Sequence, residues 1–217
     1  GSWVDEALDA WVVQREELTP LTYAELWIRD GGTLPRDAAF TRLLTAWLDD
    51  FAHRDVSAIG FGYILVRRPA AGADADASAG ACAGAGRLRR FERISQPVSG
   101  LGPAFAAGLA AHDAVDAGIP SILLVAGDVT EARHFLPGSD DPSVIELRQG
   151  GGFARTVSVD PALAAFVGAS DGDLTVGQIV GALADLFEVP VAELWADLEP
   201  RIRELVLDGI LVPFAAE

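Results

Sequence analysis

The chain has 217 residues, half of them apolar, and a net charge of −16 at neutral pH. Such a composition gives a globular protein with one large domain or two small ones, and excludes a disordered chain. No apolar run approaches the roughly 18 residues of a membrane helix and no signal-peptide pattern opens the chain, so a cytoplasmic protein with no membrane partner is expected. The single cysteine, Cys82, rules out an internal disulfide and fits a reducing compartment. There is no lysine and no methionine, and the Ala, Gly, Arg and Asp richness reads as coding bias before it reads as function. Gly1-Ser2 carries no weight, and the lack of an initiating methionine points to a processed or truncated product.

The charge is unevenly spread. Residues 1–97 carry 14 acids and 11 arginines, residues 98–139 four acids and one arginine, and residues 140–217 fourteen acids and four arginines. Phosphate backbones are bound by cations, so the last segment repels nucleic acid.

In chain order, residues 9–15 (Asp-Ala-Trp-Val-Val-Gln-Arg) form a short apolar run suited to the middle of a sheet. Thr22-Tyr-Ala-Glu25 matches a capping box, and Tyr23, Leu26 and Trp27 follow at helical spacing until Gly31-Gly32. Phe40, Leu43, Leu44, Trp47, Leu48 and Phe51 make one wide apolar stripe, a helix to lie on a sheet. Residues 56–68 predict a long strand with two glycines, stopped by Pro69. Residues 70–86 are Ala, Gly, Asp and Ser with one Cys, read as a flexible tip, and residues 87–95 resume as a strand. Together they predict a hairpin with an extended tip.

Residues 105–115 predict a short helix and residues 121–126 a strand; the turn-rich residues 127–143 read as a crossing, so residues 98–143 are taken as a connecting region. Residues 144–148 and 155–159 predict a second hairpin around Gly150-Gly151-Gly152. Asp160-Pro161 is an N-cap with proline at the first helical position, and Thr175-Val-Gly-Gln178 is a capping box before Ile179, Leu183, Leu186 and Phe187 on one face. Leu194, Trp195, Leu198, Ile202, Leu205 and Val206 mark the last helix, which ends at Asp208-Gly209 before a closing strand at residues 210–214. Residues 144–217 thus read as a small, acidic α+β module resembling a winged helix.

The order in residues 9–96 resembles the last third of a class I SAM-dependent methyltransferase sheet, whose penultimate and last strands pair antiparallel at the sheet edge. Asp9-Ala-Trp-Val-Val-Gln-Arg-Glu16, Tyr23-Ala-Glu-Leu-Trp-Ile-Arg-Asp30, Ala46-Trp-Leu-Asp-Asp-Phe51 and Ile59-Gly-Phe-Gly-Tyr63 are similar to the end of the catalytic domain in bacterial enzymes of the HemK/PrmC-like, glutamine N5-methyltransferase group. Leu147-Arg-Gln-Gly-Gly-Gly152, Asp171-Gly-Asp-Leu-Thr-Val-Gly-Gln-Ile179 and Arg203-Glu-Leu-Val-Leu-Asp-Gly-Ile210 resemble the acidic C-terminal extension of those enzymes. The resemblance implies an α/β fold: the C-terminal part of a Rossmann-like methyltransferase sheet in residues 1–97, the connection 98–143, and the winged-helix-like module 144–217. It implies S-adenosyl-L-methionine as cofactor of the parent enzyme and the missing N-terminal catalytic part as partner, with the extension selecting or docking a protein substrate. The family's glycine-rich cofactor turn and Asn-Pro-Pro-Tyr-type loop have no counterpart here, and the sequence contains no Asn at all. No catalytic or cofactor-binding residue therefore transfers, the chain alone is not expected to bind the cofactor, and its first strand would be the family's fifth. Trp11, Trp27 and Trp47 are expected to line surfaces meant for missing elements. The alternative is a stand-alone winged-helix-type protein–protein adaptor, which would have a closed core and no orphan sheet edge.

Local motifs add no chemistry. Gly80-Ala-Cys-Ala-Gly84-Ala-Gly86 lacks the strand before it and the helix after it that a phosphate loop needs, and Gly150-Gly151-Gly152 joins two strands. Arg67, Arg68, Arg87, Arg89, Arg90 and Arg93 gather near the open end of the first hairpin; they would hold an anionic surface such as RNA, balance nearby acids, or contact the acidic module. His53, His112, His134 and Cys82 lack ligand spacing, and Asp140-Asp141 and Asp171-Gly-Asp173 suit turns and caps better than calcium, so no metal residue is assigned. No Gly-x-Ser-x-Gly elbow exists. In the last helix Glu193, Asp197, Glu199 and Glu204 outnumber Arg201 and Arg203, which argues against DNA reading and for protein docking.

Overall fold

The computed structural model describes residues 4–69, 87–94 and 101–214. The expected flexible tip, with Cys82 and the 80–86 glycine run, lies outside the described residues. The fold is mixed α/β, with six helices and three small sheets among the described residues. The chain divides into two compact units, the first holding described residues 4–69 and 87–94 and the second 101–214.

Unit 1 is built on β1 (Asp9–Leu18), followed by helices α1 (Pro20–Asp30) and α2 (Ala38–His53), then β2 (Ile59–Arg67) and β3 (Arg89–Arg93). Helix α1 starts earlier than its sequence suggests. Thr19, not Thr22, is the N-cap: its hydroxyl accepts from the Thr22 N–H at 3.2 Å, and Pro20 takes the first turn, where a missing N–H costs nothing. The predicted β2–β3 hairpin does not form. Both strands flank β1 instead, in the order β2-β1-β3, with β2 antiparallel and β3 parallel to it. The reason lies in β1, whose apolar residues alternate onto both faces and whose two edges offer ladders to both neighbours.

One buried carboxylate ties all three strands. Asp9 is 1% exposed; its Oδ2 accepts from Arg67 Nε at 2.7 Å on the β2 side, and its Oδ1 accepts from the Leu88 N–H at 2.9 Å just before β3. A charge so buried is tolerated only when paired and hydrogen-bonded, as here. Gly62 serves a second local demand. A bulge at Arg15 brings β1 so close to β2 that a Cβ on Gly62 would collide with the Val13 carbonyl oxygen and sit 2.9 Å from Gln14 Cα.

Unit 2 holds α3 (Leu101–Asp116), β4 (Ile122–Val125), β5 (Val129–Phe135), β6 (Pro142–Gln149), β7 (Thr156–Val159), α4 (Pro161–Gly168), β8 (Asp171–Thr175), α5 (Val176–Phe187), α6 (Val191–Leu207) and β9 (Leu211–Pro213). Residues 101–143 are therefore not a connector. Strand β4 is the centre of the sheet β8-β4-β9, Val115 of α3 and Leu123 of β4 are in the core, and β5 opens the antiparallel sheet β5-β6-β7. The β6–β7 hairpin pairs as the sequence implies, Ile145 opposite Val159 through Arg148 opposite Thr156. Asp160 caps α4 by accepting from the Leu163 N–H at 2.8 Å, and Thr175 and Gln178 close a full capping box on α5. Phe166, Val180, Leu198, Ile202, Leu205, Val206 and Leu211 are at most 1% exposed and fuse helices and sheets into one core.

Candidate assembly face

The two faces of the unit 1 sheet differ. Trp11 and Val13 of β1 stand opposite Leu65 and Tyr63 of β2, and directly opposed residues share a face. This face is covered except at Tyr63, which is 39% exposed. Tyr23 of α1 lies 5.8 Å, ring to ring, from Phe61 of β2 and from Trp47 of α2, and 6.0 Å from Phe51, so an aromatic cluster fixes both helices against the strand. At the β3 side Trp11 is 1% exposed; its Nε1–H donates to Glu92 Oε1 at 2.6 Å, and the Arg90 guanidinium stands 5.3 Å from its ring centre. Trp11 therefore does not line an open surface, contrary to its sequence-based expectation. Trp47 packs in the α1–α2 cluster, whereas Trp27 and Leu26 of α1 are exposed because Ala24 and Ile28 take the buried positions.

The other face is open along β2 and at Phe91 of β3, while Ala10 of the central strand is 8% exposed. Ala10 and Val12 stand opposite Val66 and Ile64, and Val12 stands beside Phe91 of β3. Ile64 is 60% exposed, Val66 48% and Phe91 62%. Covering these three side chains is worth about 1–2 kcal/mol each, from the usual gain for burying large apolar groups. The sheet edges differ as well. The outer edge of β2, Ile-Gly-Phe-Gly-Tyr-Ile-Leu-Val before Arg67, pairs with no described strand and carries no charge until its end. The outer strand on the opposite side, β3, reads Arg-Arg-Phe-Glu-Arg, and charged side chains of this kind guard an edge against pairing.

Four of the six arginines singled out from the sequence are spent inside unit 1. Arg67 binds Asp9; Arg89 Nη2 donates to the Asp5 carbonyl at 2.8 Å; Arg90 binds Glu92 at 3.3 Å; Arg93 binds Glu17 at 3.1 Å and Gln14 Oε1 at 3.3 Å. Since the first hairpin is absent, they do not form one cluster at its open end: Arg89 lies beside Ala10 and Arg93 beside Gln14, at opposite ends of the β1–β3 ladder.

In unit 2 the Gly150–Gly152 turn is held by Asp128, whose carbonyl accepts from Gly150 N–H at 2.9 Å and whose Oδ2 accepts from Gly151 N–H at 2.7 Å, so its amides face their own chain. Asp171 Oδ1 accepts from the Asp173 N–H at 3.0 Å, a turn contact. His134 Nε2 is 3.3 Å from Glu146, and no group of three His, Cys, Asp or Glu among the described residues could hold a metal ion. Hydrogen bonds from Arg148 and then His134 hold the Glu146 carboxyl below its ordinary range. Burial pushes Asp160 upward, but Arg201 Nη1 at 2.7 Å and the Leu163 N–H outweigh it and leave this carboxyl lowered too. Arg201 is raised in turn, chiefly by its hydrogen bond to Asp160, and also binds Asp197 at 3.1 Å. Arg203 donates to the Val115 carbonyl at 2.9 Å and binds Glu199 at 3.3 Å. Both arginines of α6 are thus occupied within the unit. A cleft of about 450 Å³ lies along the small residues of α3, closed by Gln149, Phe153 and Arg155. Gln149 Nε2 donates to the carbonyls of Asp208 and Gly209, which fixes the amide, and Oε1 is sealed from solvent.

Comparison with known proteins finds no family model that matches this chain and no curated protein similar to it. Among the described residues no helix is long and apolar enough to cross a membrane.

Proposed function

We propose that the chain is the distal part of a class I SAM-dependent methyltransferase of HemK/PrmC-like type, in which unit 1 completes the edge of a catalytic sheet and unit 2 is a docking extension. The observation that carries this reading is the open face of Ile64, Val66 and Phe91 beside the unguarded edge of β2. A Rossmann-like sheet is covered on both faces and continues through its strands, so a face left bare on one side beside a receptive edge is what its last portion presents. The family's closing antiparallel pair corresponds to β2 and β3, which do not pair here; antiparallel pairing in unit 1 joins β1 and β2 instead. S-adenosyl-L-methionine would supply the methyl group and would be gripped by the preceding part; no residue of this chain is assigned a catalytic role. In unit 2 the succession α4-β8-α5-α6-β9 supports the winged-helix-like reading. The stand-alone adaptor calls for a closed core and no orphan edge, which the exposed face of unit 1 disfavours.

The test is co-expression with the polypeptide encoded immediately upstream of residue 1. The expected result is an equimolar complex that binds S-adenosyl-L-methionine in calorimetry and is lost in the double variant Ile64→Ser, Phe91→Ser, both exposed positions in the chain alone. Tight cofactor binding by this chain by itself, or a chain that stays monomeric beside the upstream polypeptide, overturns the proposal.

A further inference from the structure

The corner between α5 and α6 is exposed over nine consecutive residues, 185–193, yet four of them are large and apolar. Leu186 is 71% and Val191 50% exposed, with Phe187 and Val189 between them. The sequence pattern places Leu186 and Phe187 on the same face as Ile179 and Leu183, but only Ile179 and Leu183 reach the core, because the helix outruns it by a turn. Scattered apolar residues on a surface are ordinary; four within six residues make a patch.

The chain to either side of the patch carries one sign of charge. Asp185, Glu188 and Glu193 lie within the corner itself, and from residue 156 to residue 200 the chain carries eight acids and no Arg, Lys or His. The next cations along the chain on either side, Arg201 and Arg155, are already paired, with Asp160 and Asp208. The corner is also rigid. Val189 N–H donates to the Ala184 carbonyl at 3.0 Å and Glu188 N–H to Asp185 at 3.4 Å, the two bonds of a Schellman closure, and the N–H groups of Glu193 and Leu194 reach the Pro190 carbonyl. A preformed patch loses little freedom when it is covered.

We propose that this corner docks a cationic amphipathic segment of a partner protein, its large apolar side chains seated on Leu186, Phe187, Val189 and Val191 and its Arg or Lys side chains facing Asp185, Glu188 and Glu193. Long-range attraction selects the positive partner and the apolar patch retains it. The same field repels nucleic acid and anionic lipid headgroups, which leaves protein as the occupant. The inference rests on reading unit 2 as the docking extension and names the class of partner it takes.

The probe is a short amphipathic Leu/Arg peptide, titrated into the full chain by fluorescence anisotropy, beside a Leu/Glu peptide of the same pattern and an Arg/Ser peptide with no apolar face. The Leu/Arg peptide is expected to bind, to weaken with salt, and to weaken about fivefold or more on the double variant Leu186→Ser, Val191→Ser, the scale of losing an interface anchor. Both side chains point to solvent, so the variant keeps its thermal midpoint. In two-dimensional NMR the amide shifts on binding are expected to centre on residues 185–193. Equal affinity of the double variant, equal affinity of the Arg/Ser or Leu/Glu peptide, or shifts centred elsewhere overturns the proposal. These readouts do not involve the unit 1 face, so failure of assembly with the upstream polypeptide leaves them unchanged, and their failure leaves that assembly unchanged.

Discussion

Glu188 closes α5 with φ = 56° and ψ = 40°, in the left-handed region where a Cβ crowds the following carbonyl. A side chain there costs about 1–2 kcal/mol relative to glycine, and glycine gives back roughly 0.5–1 kcal/mol through the greater freedom of its unfolded chain. Glu188→Gly is therefore expected to stabilise unit 2 by about 0.5–1 kcal/mol, a rise in midpoint of about 2–4 °C for a unit of this size. The charge must be separated from the backbone. A carboxylate near a helix C-terminus is unfavourable by about 0.3–1 kcal/mol, and Glu188→Ala removes that charge while keeping the Cβ. Calorimetry of both variants isolates the conformational part as the difference between them. If Glu188→Ala raises the midpoint as much as Glu188→Gly, or if Glu188→Gly lowers it, the reasoning about the left-handed closure is wrong.

Gly62→Ala is expected to break the close approach of β1 and β2 at the Arg15 bulge, because the added methyl meets backbone on both sides, and to destabilise unit 1 by several kcal/mol, the scale of severe overpacking; urea unfolding and amide exchange in residues 59–67 measure it. Gly60→Ala is the control, since its Cβ would meet only the Gln14 side chain at 3.5 Å, and it should cost far less. Asp160 titrates lower in the folded unit than in the unfolded chain, so its contribution is complete above the unfolded value of about 4 and fades as pH falls through the lower folded value. Urea midpoints between pH 6 and about 3 should therefore fall less steeply in Asp160→Asn than in the parent. Asp160→Ala should cost about 1 kcal/mol at neutral pH from the lost cap alone.

Local signals were legible where the chemistry is local. Asp160-Pro161 and the Thr175–Gln178 box name their helix starts because the capping oxygen and the N–H it serves lie three residues apart. Leu194, Leu198, Ile202 and Leu205 name a buried stripe because one helix face is fixed by the 3.6-residue period. Strand order was not legible. Nothing in β2 or β3 alone distinguishes pairing with each other from pairing with β1, since the deciding contacts join Asp9 to Arg67 and to Leu88 across 58 and 79 residues. Strand β5 was hidden because Thr130, Glu131, Arg133 and His134 sit on a half-exposed sheet whose polar residues look like those of a loop. Thr19 is hard to tell from Thr22 as a cap because both offer the same hydroxyl; Pro20 is the signal that separates them. Which tryptophan is bare is not legible either: the register of β1 buries Trp11, while Trp27 stays exposed on α1.

The unlike edges of the three-stranded sheet limit what it can build. Fibrils grow when each added copy offers a fresh receptive strand, and here arginines guard the far side, so a second copy meeting the first along its apolar strand leaves only guarded strands outward. Joining can happen once and then stops, so a bare strand here does not seed a filament.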